Sequence, residues 1–200
     1  MPGDEVRRLH LERTGAGHLL AKGLDKNLME TWIGEAHARW KNKDTVFSLM
    51  ASWIAFNCYF GSYCEENNWV GFKRSCDNSG RDLDASRSRL DFLIEQEDFK
   101  SFFKSFSQEK VFEESIRLPI VRQDPDGKIR KKVPSDLEAG TYQWKNLTHR
   151  QTFDVLYQIR NNLFHGQKDH AHTGRDHEVI EAACSFMIPF LTKLITATQT

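Results

Sequence analysis

The stretch THRQTFDVLYQIRNNLFHG, residues 148–166, decides the fold class. Thr148-His149-Arg150-Gln151 has the form of a capping box, in which the threonine hydroxyl accepts a first-turn N–H and the glutamine side chain reaches back to the cap. Thr152, Leu156, Ile159 and Leu163 follow at i, i+4, i+7 and i+11, one face of an α-helix. Gly166 suits the left-handed position just past a helix end. The pattern predicts a helix over about 149–165 with His165 as its last residue.

The same period recurs on either side. Leu24, Leu28, Trp32, Ala36 and Trp40 run at spacings of four and predict an amphipathic helix. Asp44 is placed to cap a second helix, TVFSLMASWIAFNCYFGSYC, whose twenty positions 45–64 carry no charge. That length is enough to span a bilayer, but Ser48, Ser52, Asn57, Gly61 and Ser62 thin its apolar surface and both flanks are charged. It reads as a helix buried on nearly every side, covered by other helices and a second subunit. KRSCDNSGRD reads as a loop. Leu90, Leu93 and Ile94, with Phe99, Phe102, Phe103 and Phe106, indicate one broken helix or two short ones with core aromatics. From about Asp176 to Thr198, Val179, Ala182, Ala183, Phe186, Phe190, Leu191 and Leu194 form a broad apolar face that Pro189 is expected to kink.

Residues 115–147 interrupt the helical period. LPIVRQDPDGKIRKKV places β-branched residues around DPDG, where Pro125 presets one dihedral and Gly127 tolerates positive φ, and predicts an inserted hairpin. Its return arm holds Lys128, Arg130, Lys131 and Lys132, the densest basic cluster of the chain. The cluster reads either as a solvated tip or as an arm that tracks phosphates. The whole is an all-α chain with a small β-hairpin insertion: residues 1–22 as a loose lead and 23–200 as one helical domain.

Composition narrows the chemistry. The 200 residues carry 28 acids and 28 Lys and Arg, so indiscriminate coating of nucleic acid is excluded and any such binding is local. Cys58, Cys64, Cys76 and Cys184 show no CxxC spacing and read as reduced packing residues of a cytoplasmic protein. MPGDEVRRLHLERTGAG lacks an apolar segment and does not have the form of a secretory signal.

Within the opening stretch, Arg160 and His165 carry the chemistry. A helix C-terminus favours a protonated imidazole, and an arginine offers a permanently charged fork suited to phosphate oxygens. Together they are the minimum set for cleaving RNA without metal: the ribose 2′-OH attacks its own phosphate, a histidine moves the proton and arginine steadies the anionic transition state. Asn161 is placed to orient either group. Five residues turn a helix through about 140°, so the two side chains of one chain do not share a face. Either the last turn unwinds or each looks across to a partner helix. On spacing alone, a C-terminal cap contact and a surface ion pair explain the same residues. Asn57, amid Trp53, Phe56, Tyr59 and Phe60, reads as an amide bonded to a neighbouring helix or as a supporting contact near substrate.

The run Arg160-Asn161-Asn162-Leu163-Phe164-His165, on the penultimate long helix of an all-helical chain, resembles the motif of the HEPN superfamily, the higher eukaryotes and prokaryotes nucleotide-binding domain. Trp53-Ile54-Ala55-Phe56-Asn57-Cys58-Tyr59 is similar to the aromatic helix of its stand-alone prokaryotic members. The likeness covers about 24–198, and its specific part is the short motif. It implies a bundle dimerising through the motif-bearing helices, with two Arg/His pairs in one metal-independent endoribonuclease cleft. It also implies a toxin or phage-defence effector with RNA as substrate and an antitoxin or regulatory protein as partner. Some members are silenced by adenylylation of a tyrosine two residues past the histidine. Gln167 stands at that position here, so this mode of silencing does not carry over. Other members only bind nucleotides or RNA, which is the alternative function.

A third class is metal chemistry. HGQKDHAHTGRDH, residues 165–177, holds His165, His170, His172 and His177 with Asp169 and Asp176 in thirteen residues. Imidazole and carboxylate suit zinc, manganese or iron, but no HExxH occurs and His170-Ala171-His172 is a loop spacing. A solvated loop is the expectation, with no metal site, no cofactor and no membrane partner.

Overall fold

The computed structural model describes residues 26–67, 85–107, 114–123, 129–164 and 174–197. The first two helices, α1 (Lys26–Lys41) and α2 (Thr45–Glu66), form a hairpin. Lys43 adopts φ 60° in the connection, and the Asp44 carboxylate caps α2 by accepting from the Phe47 N–H at 3.4 Å. Ser48 stitches the pair by donating to the Ala36 carbonyl at 2.8 Å, which brings the two backbones close.

The buried line of α1 shares Ala36 with the predicted period-four set but is shifted at its start. Met29, Ile33 and Ala36 enter the core, whereas Leu28 is 43% exposed and Trp32 is half-buried. The helix carries two apolar stripes one residue apart. Met29, Ile33 and Ala36 go deepest, Trp32 and Trp40 pack half-buried against the core, and Leu28 is the member of the predicted stripe that stays largely outside.

The aromatic segment splits into α3 (Ala85–Ile94) and α4 (Glu97–Ser107). The predicted hairpin is present within the expected bounds of about 115–147, and it is built from two ribbons. β2 (Ile120–Gln123) pairs antiparallel with β3 (Ile129–Val133), with Val121 opposite Lys132. Below it, β1 (Ser115–Leu118) pairs with β4 (Gly140–Gln143), so that two short ribbons follow one another. Ile116 and Leu118 alternate inward from β1. The turn Trp144–Asn146 closes the insertion: Trp144 donates its indole N–H to the Ala182 carbonyl at 3.2 Å and its ring lies 4.9 Å from Phe186.

The capping box forms as read, the Thr148 hydroxyl accepting from Gln151 N–H at 3.2 Å and the Gln151 side chain from Thr148 N–H at 3.0 Å. It opens α5 (His149–Phe164); the last of the described helices is α6 (Gly174–Ala197), which continues through Pro189. Asp176–Ala197 is long and apolar enough to cross a bilayer by composition, but 61% of its apolar window is buried in this fold. All seven apolar residues predicted for its face lie in the core. Cys64 and Cys184 are packing residues, the Cys184 thiol donating to the Thr45 carbonyl at 3.3 Å, and burial pushes that thiol up to about 12. The described residues are mostly helical, with the ribbons as a minor element, which agrees with the expected all-α class.

Candidate active site

Helix α5 is held from below by aromatic packing. Phe153 stacks on Phe56 of α2 at 5.3 Å and meets Phe99 of α4 at 5.4 Å and Phe190 of α6 at 5.5 Å. One turn on, Tyr157 meets Trp53 edge-on at 5.9 Å. Moving from Phe153 to Tyr157 therefore moves from Phe56 back to Trp53, and α5 runs antiparallel to α2.

A charged network that sequence reading missed lies beside this contact. Arg87 of α3 bonds the carboxylate of Asp154 and, through Nη2, that of Asp91 at 2.9 Å. Arg150 reaches Asp91 at 2.9 Å and Asp154 at 3.5 Å. Burial opposes the charge on Arg87, but the hydrogen bonds it donates to Asp91 and Asp154, with their negative charge, outweigh it and raise its pKa. The Arg87 guanidinium also lies 5.1 Å from the centre of the Tyr157 ring, a cation–π contact. The i, i+4 pairs Arg87/Asp91 and Arg150/Asp154 were visible as spacings; their convergence across two helices was not.

Arg160 is half-buried and donates from Nη1 to the Asn161 side-chain oxygen at 2.8 Å. The neighbouring amide has a different task. Asn162 is buried, donates to the Val121 carbonyl of β2 at 3.0 Å and accepts from the Gln158 side chain at 2.8 Å. It pins the basic hairpin to the motif helix. Lys132 is exposed and is the backbone partner of Val121, so it belongs to the strand pair that Asn162 holds. Arg130 and Lys131 lie in β3. Lys128 and His165, with His170, His172 and Asp169, lie outside the described residues, so the Arg160 and His165 pair is not compared in space.

Asn57 stands half-buried on α2. Its side-chain oxygen, the Trp53 indole N–H and the Tyr157 hydroxyl are sealed from solvent and find no hydrogen-bond partner among the described residues. Among the described residues no cluster of three or more metal-ligating side chains occurs, and His177 is exposed with Nδ1 3.8 Å from Glu181. The end of α5 carries an arginine fork held by the Asn161 amide, while Asn162, on the other side of the helix from Arg160, holds the strand pair. A guanidinium so held suits phosphate oxygens. Compared with family models, curated proteins and solved structures, the chain matches none of them.

Proposed function

We propose that this chain is a metal-independent endoribonuclease working as a homodimer, with Arg160 and His165 of each copy facing one cleft in a HEPN-like bundle. The observation that carries the reading is the end of α5, where Arg160 is held 2.8 Å from Asn161 five residues before His165. In the reaction the ribose 2′-OH attacks the adjacent phosphorus and gives up its proton. The 5′-oxygen leaves with a proton, and the products carry a 2′,3′-cyclic phosphate and a 5′-OH. His165 moves the proton, and Arg160 balances charge on the phosphorane oxygens. Asn161 orients the guanidinium. Lys132 and its hairpin neighbours follow the RNA backbone, which adds affinity that weakens with salt. The resemblance extends the reading to a cytoplasmic toxin or phage-defence effector restrained by an antitoxin or other regulatory protein.

The test is incubation of the purified chain with total RNA in excess EDTA, wild type beside Arg160→Ala and His165→Ala. Wild type is expected to leave 2′,3′-cyclic phosphate ends, and each variant to cleave on the order of a hundredfold or more slowly. RNA bound but never cut would assign these residues to a non-catalytic binding module. Cleavage that EDTA abolishes would transfer the chemistry to the histidine-rich loop.

A further inference from the structure

Between the β1/β4 ribbon and the first turns of α6 lies a cavity of about 660 Å³, and among the described residues none of α5 lines it. Its two walls carry opposite charge. Arg117 stands on the ribbon and Glu178 on the helix, and among the described residues neither forms an ion pair. The strand register explains what surrounds Arg117. β1 alternates, so Ile116 and Leu118 are buried while Ser115 and Arg117 turn outward, and antiparallel pairing sets Thr141 of β4 across from Arg117. The hydroxyls of Ser115 and Thr141 therefore flank the guanidinium, and all three residues line the cavity. Leu118, Pro119 and Val179 supply its apolar part. The walls are tied to each other, which fixes the gap between them. Trp144, directly after β4, donates its indole N–H at 3.2 Å to the carbonyl of Ala182, one turn past Glu178, and its backbone N–H reaches the Glu114 carbonyl at the head of β1, also at 3.2 Å. The Tyr142 hydroxyl donates to the Glu138 carbonyl at 3.0 Å and braces the rim at Ala139 and Gly140.

We propose that this cavity binds a small zwitterion with an apolar side chain, its carboxylate on Arg117 and its ammonium on Glu178. Opposite charges held apart on tied walls do not neutralise each other directly, and they suit a ligand that carries both. The guanidinium fork matches a carboxylate bidentately, and the Ser115 and Thr141 hydroxyls add donors beside it. The apolar side chain lies against Leu118, Pro119 and Val179. A cavity of this size, part apolar with a few convergent polar groups, is of the kind that small ligands occupy. Other ligand classes fit the charges less well. Glu178 repels the second charge of a phosphate ester, whereas a divalent cation would meet a single carboxylate and be repelled by Arg117. A free amino acid and a short apolar peptide share the favoured chemistry. The site does not rest on the nuclease reading, because Arg160 and its helix take no part in it.

The experiment is isothermal titration of the full chain with L-leucine and with L-leucyl-L-alanine, beside N-acetyl-leucine, which lacks the ammonium, and leucinamide, which lacks the carboxylate. At least one zwitterion is expected to bind with a Kd of about 1 mM or tighter, and each capped analogue at least about tenfold more weakly. The tighter of the two zwitterions identifies the source, free amino acid or peptide. Arg117→Ala and Glu178→Ala are each expected to weaken that binding at least about tenfold. Both positions are exposed, so the variants are expected to melt as wild type does, and the melts serve as the fold check. Three results would each overturn the assignment: no heat from either zwitterion at about 10 mM, N-acetyl-leucine binding as tightly as leucine, or binding that survives both substitutions.

Discussion

His149, at the first position of α5, shows how a single group couples packing to pH. Its ring lies 6.2 Å from Phe103, and burial lowers its pKa below the ordinary 6.5; Lys100 and Arg150 lower it further, against Glu95 and Glu97. A histidine whose folded pKa is depressed binds fewer protons folded than unfolded. Its contribution to stability is therefore present above the unfolded value near 6.5 and is lost as pH falls through that value toward the folded one. The urea midpoint is expected to fall on acidification from pH about 7.5 to 5.5, and His149→Gln to flatten that part of the profile. An unchanged slope in the variant would assign the acid sensitivity elsewhere. At this scale Arg160 and Asn161 were legible from residue type and place on the helix. Asn162 was not, because adjacent asparagines look alike until the helix is rotated against the hairpin.

At the scale of elements, Asn162 joins the motif helix to the insertion. Replacing it by alanine leaves the Val121 carbonyl and the Gln158 amide unpaired in a buried place, and the expected loss is about 1–3 kcal/mol by urea unfolding. Because the bond runs between elements, the damage should also be local. Amide exchange along the β2/β3 pair is expected to speed up, while the Gln151 amide of the capping box stays protected. Equal acceleration of both would mean that Asn162 supports the whole core and not the hairpin's seat. The caps themselves were legible in advance. Thr148 with Gln151, and Asp44, act within one turn, so nothing remote is needed to recognise them.

For the molecule as a whole, stability converges on Phe153. Its ring meets those of Phe56, Phe99, Phe103, Phe186 and Phe190, which arrive from three other helices. Phe153→Ala removes the side chain that all of them share, and a loss of about 3–5 kcal/mol in denaturant unfolding is expected. A loss below about 1 kcal/mol would mean that the cluster collapses to fill the gap. The same ring-on-ring order sets α5 antiparallel to α2.

Local pattern alone determined the helical class, the two caps, the break between α3 and α4, the hairpin around DPDG and the apolar set of α6. Each of these depends on residues within a turn or two of one another, where backbone geometry and side-chain period suffice. Tertiary structure decided that Met29 and Ile33 of α1 go deeper than Leu28 and Trp32. It brought Arg87, Arg150 and Asp154 into one network, gave Asn162 and not Asn161 the hairpin, and set Trp53 of α2 edge-on against Tyr157 of α5. Those outcomes join residues dozens of positions apart. They follow from how helices rotate and seat against one another, a choice that periodicity along one segment does not contain.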